Sequence, residues 1–430
     1  MARIHSLSPV SCSRLMLFPL LSLLLFPLMA CGSGPSDAFR SAPPSDPACR
    51  ASATSPNNID HRYLSSIAMQ SETTGWGQNY TQKGGMPSGA PTAEQTILHT
   101  TDGGCHWKIV KSWKYSMEPS PDFSPFFLSP SLAIIYVNGD LFLTTDAGIS
   151  WSSITLPVVT QQKAIPGPIF FLNDHLGWMS LSGISGGTFQ DNDLLRSTDG
   201  GQSWSRLHAT LPAPLLPRTR SPGYITSLSF LNETTGWVTG SSYSRENSWI
   251  YMTNDGGNTW QEQQLPSPQG YSATRLLDLG QPHFFSARDG VLPAASTHFD
   301  PTGVCAFITH DGGESWQSQP FFALQNYSDE VVDPHLLIDV SVPLPSFTSL
   351  TTGWVGTISI YRTTDGGRSW QHFDHQLPIR YSDPGLQFIA DRVAFALAFT
   401  GEPINFQASS ELYRTMDGGK SWTTLRYTIS

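Results

Sequence analysis

One short string recurs through this chain and limits its fold more than any other feature. Thr101-Asp102-Gly103-Gly104-Cys105-His106-Trp107 returns as Thr145-Asp146-Ala147-Gly148-Ile149-Ser150-Trp151 and as Thr198-Asp199-Gly200-Gly201-Gln202-Ser203-Trp204. Four more copies run from Asn254-Asp255 to Trp260, His310-Asp311 to Trp316, Thr364-Asp365 to Trp370 and Met416-Asp417 to Trp422. Successive acids lie 44, 53, 56, 56, 54 and 52 residues apart. A period near fifty points to a solenoid or a propeller. A second element precedes several copies: Thr74-Gly75-Trp76, Leu176-Gly177-Trp178, Thr235-Gly236-Trp237 and Thr352-Gly353-Trp354. Unit five has a degenerate form at Asp289-Gly290, and units two and seven lack it. These two elements use eleven of the 13 tryptophans, so the indoles read as architecture and not as a binding site.

Within a unit, runs such as Ile225–Leu231, Gly236–Gly240, Trp249–Thr253 and Thr259–Leu265 have strand length and are separated by turn residues. In Asp-Gly-Gly the acid can accept backbone N–H bonds across a tight hairpin while glycine takes positive φ. The following indole buries apolar area against the sheet. Each unit is therefore expected to be a four-stranded antiparallel sheet. Seven of them closed in a ring hide the edges that a linear array would expose. Composition agrees: 37 glycines, 33 prolines and 13% charged residues exclude coiled coils and long bundles, and 11% aromatics exclude disorder throughout. The expected fold is an all-β, seven-bladed β-propeller over residues 59–430.

The string Ser/Thr-x-Asp-x-Gly-x-x-Trp resembles the Asp-box, or BNR repeat, of sialidases, sortilin-type receptors and several propeller glycosidases. The Gly-Trp strand coupled to Thr-x-Asp-Gly-Gly-x-Ser/Thr-Trp looks most like the photosystem II assembly and stability factors and their bacterial relatives. That resemblance implies a seven-bladed propeller, and by analogy alone a part in assembling a photosynthetic complex. The Asp-box is a structural turn in most proteins that contain it, so it does not itself assign an activity.

The resemblance to sialidases does not extend to their chemistry. Those enzymes need an arginine triad with an Arg-Ile-Pro-like motif, and Pro217-Arg218-Thr219 and Pro378-Ile379-Arg380 are scrambled versions of it. Xyloglucan-cleaving propellers resemble two seven-bladed domains facing each other, and this chain holds one. A two-carboxylate glycosidase remains the alternative reading. Asp102, Asp146, Asp199, Asp255, Asp311, Asp365 and Asp417 read as turn acids on the hairpin between third and fourth strands. Trp107, Trp151, Trp204, Trp260, Trp316, Trp370 and Trp422 read as their packing partners. Asp-Gly-Gly lacks the alternating oxygens of a calcium loop, and no His/Cys cluster has zinc spacing. No phosphate-binding glycine motif, Ser elbow or His-Glu-x-x-His appears. No cofactor and no metal are expected.

The first thirty residues read as an export signal. Arg3 and Arg14 precede an apolar run, Leu15–Met29, that is short for a spanning helix. Leu28-Met29-Ala30-Cys31-Gly32 resembles a lipoprotein lipobox, which implies acylation of Cys31 and attachment to a lipid bilayer outside the cytoplasm. Residues 31–58, rich in Ser, Pro, Ala and Gly, read as a tether. Cleavage after residue 30 would move the net charge from −10 to −12, a poor match for nucleic acid. With Cys12 lost and Cys31 acylated, Cys49, Cys105 and Cys305 remain. Cys49 could pair with Cys105, or all three could stay as thiols.

Binding is expected where loops on a rigid scaffold converge on the channel mouth. The long segments are 78–95, 111–130, 208–223, 240–248, 321–345, 374–385 and 401–410. Arginine plus aromatic is the vocabulary of interfaces, which selects Arg218, Arg220, Arg245, Arg380, Tyr243 and Tyr381; Tyr80 and Lys83 lie in the first of these segments. The expected function is a non-enzymatic binding or assembly module for a protein or glycan partner. The first blade is expected to be complete from His61 and the last to end near Thr428, with no strand exchanged across the seam.

Overall fold

The computed structural model describes Cys49 and residues 63–83, 92–116, 123–157, 165–182, 192–207, 224–241, 248–271, 277–296, 302–324, 344–356, 360–373, 385–400 and 409–430. Cys31 and all six arginine and tyrosine candidates lie outside them. The described residues belong to one compact unit, Pro43–Ser430, built as seven antiparallel blades in a propeller. Blade one consists of Ser66–Met69, Gly75–Lys83, Thr92–Thr100 and His106–Ser116. Blade four, Tyr224–Phe230, Gly236–Ser241, Ser248–Thr253 and Gln261–Gln263, follows the expected runs closely, except that its last strand is three residues long. Blades two, three, six and seven span 123–154, 165–207, 346–373 and 385–425. Blade five, 278–323, is irregular. Its inner strand is split into Asp278–Leu279 and His283–Phe284 around Gly280 and Pro282, and its outer strand into Gln317–Ser318 and Phe322–Ala323.

Several expected loops are strands in part, as Phe322–Ala323 within 321–345 and Ser409–Ser410 within 401–410 show, and the first two are so most extensively. Residues 78–83 and 92–95 extend the middle hairpin of blade one, 111–116 continue its outer strand, and Phe123–Phe127 is the inner strand of blade two. Tyr80 and Lys83 therefore belong to a sheet. Strand-forming residues on both sides of 84–91 carry the pairing well beyond the point where the other hairpins turn.

One packing rule joins the blades. The last residue of each inner strand pairs with a small residue opening the next strand: Met69 with Gly75, Phe127 with Ala133, Phe171 with Gly177, Phe230 with Gly236, Phe284 with Gly290, Phe347 with Gly353 and Phe388 with Ala394. The residue after the small one packs on the neighbouring blade. Trp178 stacks on Phe230 with centroids 3.6 Å apart, Trp354 on Phe388 at 3.9 Å, Trp237 on Phe284 at 4.6 Å and Trp76 on Phe127 at 5.5 Å. Blades two, five and seven place Ile134, Val291 and Phe395 there, all fully buried, so the position is kept where the motif fades. Hydrophobic clusters bridge every pair of neighbours, including seven and one.

The seam has further ties. Gln387 accepts the Met69 N–H at 2.7 Å and donates to its carbonyl at 2.8 Å. Blade one is complete from its own residues, but Thr428–Ile429 adds a parallel strand outside His106–Trp107. Thr428 N–H donates to Cys105 O and Ser430 N–H to Trp107 O, each at 2.9 Å. Cys49 forms a disulfide with Cys105 across 56 residues, at the same turn. Cys305 is a free, buried thiol, and burial pushes its pKa up to about 12.

Candidate functional surfaces: the Asp-box rim and the axial strands

All seven acids lie on the hairpin between the third and fourth strands of their blade. The hydroxyl two residues before each acid (Thr100, Thr144, Ser197, Thr253, Thr309, Thr363 and Thr415) is buried at 1% exposure. It donates to the acid's Oδ1 at 2.7–3.0 Å. The hydroxyl oxygen in turn accepts the N–H of the second turn glycine at 2.8–3.1 Å. Oδ1 also accepts the backbone N–H four residues on, at 2.8–3.0 Å. Oδ2 takes the hydroxyl of that residue at 2.5–2.6 Å in boxes two to seven, and in box one it faces His106 Nδ1 at 2.5 Å. Each carboxylate is thus consumed by its own turn.

The two sequence elements are coupled through the backbone. The residue after each acid donates its N–H to the turn before the second strand, as Gly103 does to Thr73 O at 2.7 Å and Gly256 to Thr234 O at 2.8 Å. Both turn positions have φ between 59° and 99°, including Ala147 at 59° where the other boxes have glycine. The closing indoles donate to the second glycine's carbonyl in boxes one, two, three, four and seven, at 2.9–3.1 Å. In box five Gln263 intervenes, accepting from both Trp237 and Trp316 and donating to Gly313 O.

Charge follows the hydrogen bonds. At Asp311 burial raises the pKa, but hydrogen bonds from Ser315 and Thr309 outweigh it and bring the carboxyl down to about 2. The acids of boxes one, three, four, six and seven are lowered by the same balance. At Asp146 the Ser150 hydroxyl is the leading cause of the lowering. A general acid needs the opposite displacement.

The first strand of each blade is its inner, axial one, and those of blades three and four, six and seven, and seven and one lie against each other. Among their described residues the only carboxylate is Asp278, and His283, whose pKa burial lowers, is the only imidazole. Among the described residues no group of three His, Cys, Asp or Glu could hold a metal ion. Whether Arg218, Arg220, Arg245, Arg380, Tyr243 and Tyr381 meet at one mouth lies outside the described residues. The motif includes the Thr or Ser two residues before every acid, but the sequence alone gives its hydroxyl no role.

Ring, turn and indole together define a seven-bladed Asp-box propeller. The BNR/Asp-box repeat matches residues 195–206, the third box. Among solved structures, YCF48 from Cyanidioschyzon merolae is similar at 17% identity, covering 83% of this chain and 96% of that one, with a TM-score of 0.49. YCF48 bound to D1 peptide is similar at 16% identity, covering 78% and 88%, with a TM-score of 0.45. A puromycin-hydrolyzing peptidase of Mycobacterium tuberculosis is similar at 11% identity, covering 86% of this chain and 54% of that one, with a TM-score of 0.51. No curated protein matches the chain.

Proposed function

We propose that the chain is a non-enzymatic binding or assembly module, exported and held at the membrane by a lipid on Cys31, that takes a protein or glycan partner on its mouth loops. The observation that carries this reading is the state of the acids. Seven repeated carboxylates are saturated by their own turns, and the described axial strands offer one more, where glycoside hydrolysis needs two facing each other across the scissile bond. Binding then falls to loop residues, and Arg218, Arg220, Arg245 and Arg380 with Tyr243 and Tyr381 supply charge and aromatic area within an acidic body. The Ser/Pro-rich residues 31–58 would give the propeller reach from the bilayer.

Proximity labelling from the full chain in its native cell tests the proposal. The expected outcome is a small set of extracytoplasmic proteins or glycoconjugates, lost when Cys31→Ser releases the chain from membranes. Labelling confined to cytoplasmic proteins, or glycan turnover by the purified chain, would overturn it.

A further inference from the structure

Blade one has an outer strand unlike the others. His106–Ser116 is eleven residues long, whereas the outer strands of blades two, three, four, six and seven have three residues each. Its edge is already used as a pairing template: Thr428 and Ser430 donate to it and Ile109 N–H donates to Ser430 O at 2.8 Å. Beyond Ile109 that pairing stops. Val110 stands in a bulge, residues 111–116 pair inward with Thr92–Ile97, and among the described residues no strand lies along their outer side. Alternate backbone N–H and C=O groups of an edge strand point away from its sheet and can pair with another chain.

The side chains of this edge are specific in kind. Lys108, Lys111 and Lys114 are three of the six lysines in a chain of net charge −10. Lys108 and Lys114 are exposed. Lys111 lies over the rings of Trp113 and Phe142, 5.7 and 5.5 Å from their centroids. Trp113 itself packs on Phe123, Phe142 and Trp151 of blade two, and Tyr115 further along the strand is half-buried. Glu94 stands opposite Lys114 on the neighbouring strand, which leaves the ledge net positive. We infer that the outer edge of blade one, residues 110–116, is a docking ledge where an extended acidic segment of a partner protein adds as a further strand. Backbone pairing supplies the affinity, and the lysines select acidic side chains. Edge lysines also serve in proteins to repel a second copy, but that role needs no strand of eleven residues, and the short edges of the other blades do without it.

The inference deepens the binding reading above, yet its test does not touch the mouth loops, so either can fail alone. Lys108 and Lys111 lie on one face of the sheet and Lys114 on the other, so the probe, a fluorescein-labelled, end-capped Thr-Glu-Glu-Val-Glu-Glu-Thr peptide titrated into the oxidised full chain at low salt, carries acids on both of its faces. We expect saturable binding, weakened about tenfold by Lys108→Glu with Lys114→Glu, and hydrogen–deuterium exchange slowed at 110–116. A probe N-methylated at alternate residues keeps the charge but cannot pair, and should not bind. Equal binding of the methylated probe would overturn the inference, as would protection elsewhere or no binding at about 1 mM. A double variant that dimerises while the wild type ignores the probe would assign the lysines to repulsion of a second copy, and would also overturn it. Should the double variant lose its fold, Lys114→Gln alone, with the exchange readout, carries the test.

Discussion

Replacing Thr253 with valine should cost more than replacing it with serine, although valine preserves the shape and serine removes a methyl. The Thr253 hydroxyl is buried; it donates to Asp255 Oδ1 at 2.8 Å and accepts the Gly257 N–H at 2.9 Å. Valine leaves the buried Gly257 N–H with no acceptor, a loss of about 1–3 kcal/mol. It also deprives Asp255 of one donor, which water can replace on the rim. Serine keeps both bonds and gives up one buried methyl, about 0.8 kcal/mol, and Ser197 holds the same place in box three. Urea unfolding followed by tryptophan fluorescence reads both variants, with the midpoint shift multiplied by the common slope. The expected order is wild type, then Thr253→Ser, then Thr253→Val about 2 kcal/mol below wild type. A valine variant as stable as the serine one would refute the buried hydroxyl as the hub of the turn.

Other expectations follow from the same geometry. Ala147→Gly should raise stability by about 0.5–1 kcal/mol, since alanine at φ 59° sits where only glycine is unstrained; a drop in the urea midpoint would contradict this. The box acids have folded pKa values below the unfolded value. Their contribution is therefore complete above about pH 4 and disappears as pH falls toward about 2, the value at Asp311. Melting temperature measured from pH 7 to pH 2 should hold level and then fall below pH 4, and a decline beginning near pH 6 would count against the turns as its source. Cys49→Ser with Cys105→Ser frees a loop of 56 residues and should lose about 2–4 kcal/mol, visible as a matching drop when the wild type is unfolded in reductant.

Local chemistry explains what could be read from the chain beforehand. The hydroxyl two residues before the acid, the acid, its glycines and the residue four positions on close one turn among neighbours in sequence, so Asp102 or Asp365 announces its structure within a short string. The interblade stack was less legible, because the site after the small residue accepts any large apolar side chain, and Ile134, Val291 and Phe395 look like ordinary strand residues. Gln263 was invisible for the opposite reason: its partners Trp237, Gly313 and Trp316 lie up to 53 residues away. The seam is similar. Nothing in Thr428-Ile429 specifies a parallel partner 322 residues earlier, and three thiols allowed several states for Cys49. The candidate binding arginines remain a reading of composition, since loops carry no periodicity to fix them.

The division of labour between rim and mouth can be measured in one experiment that scores stability and partner capture on the same variants. Asp199→Ala should lower the melting temperature while each folded molecule captures the proposed protein or glycan partner as before. Arg218→Glu with Arg220→Glu should melt like the wild type and lose capture. A box acid whose removal abolishes capture or turnover at unchanged melting temperature would contradict the account.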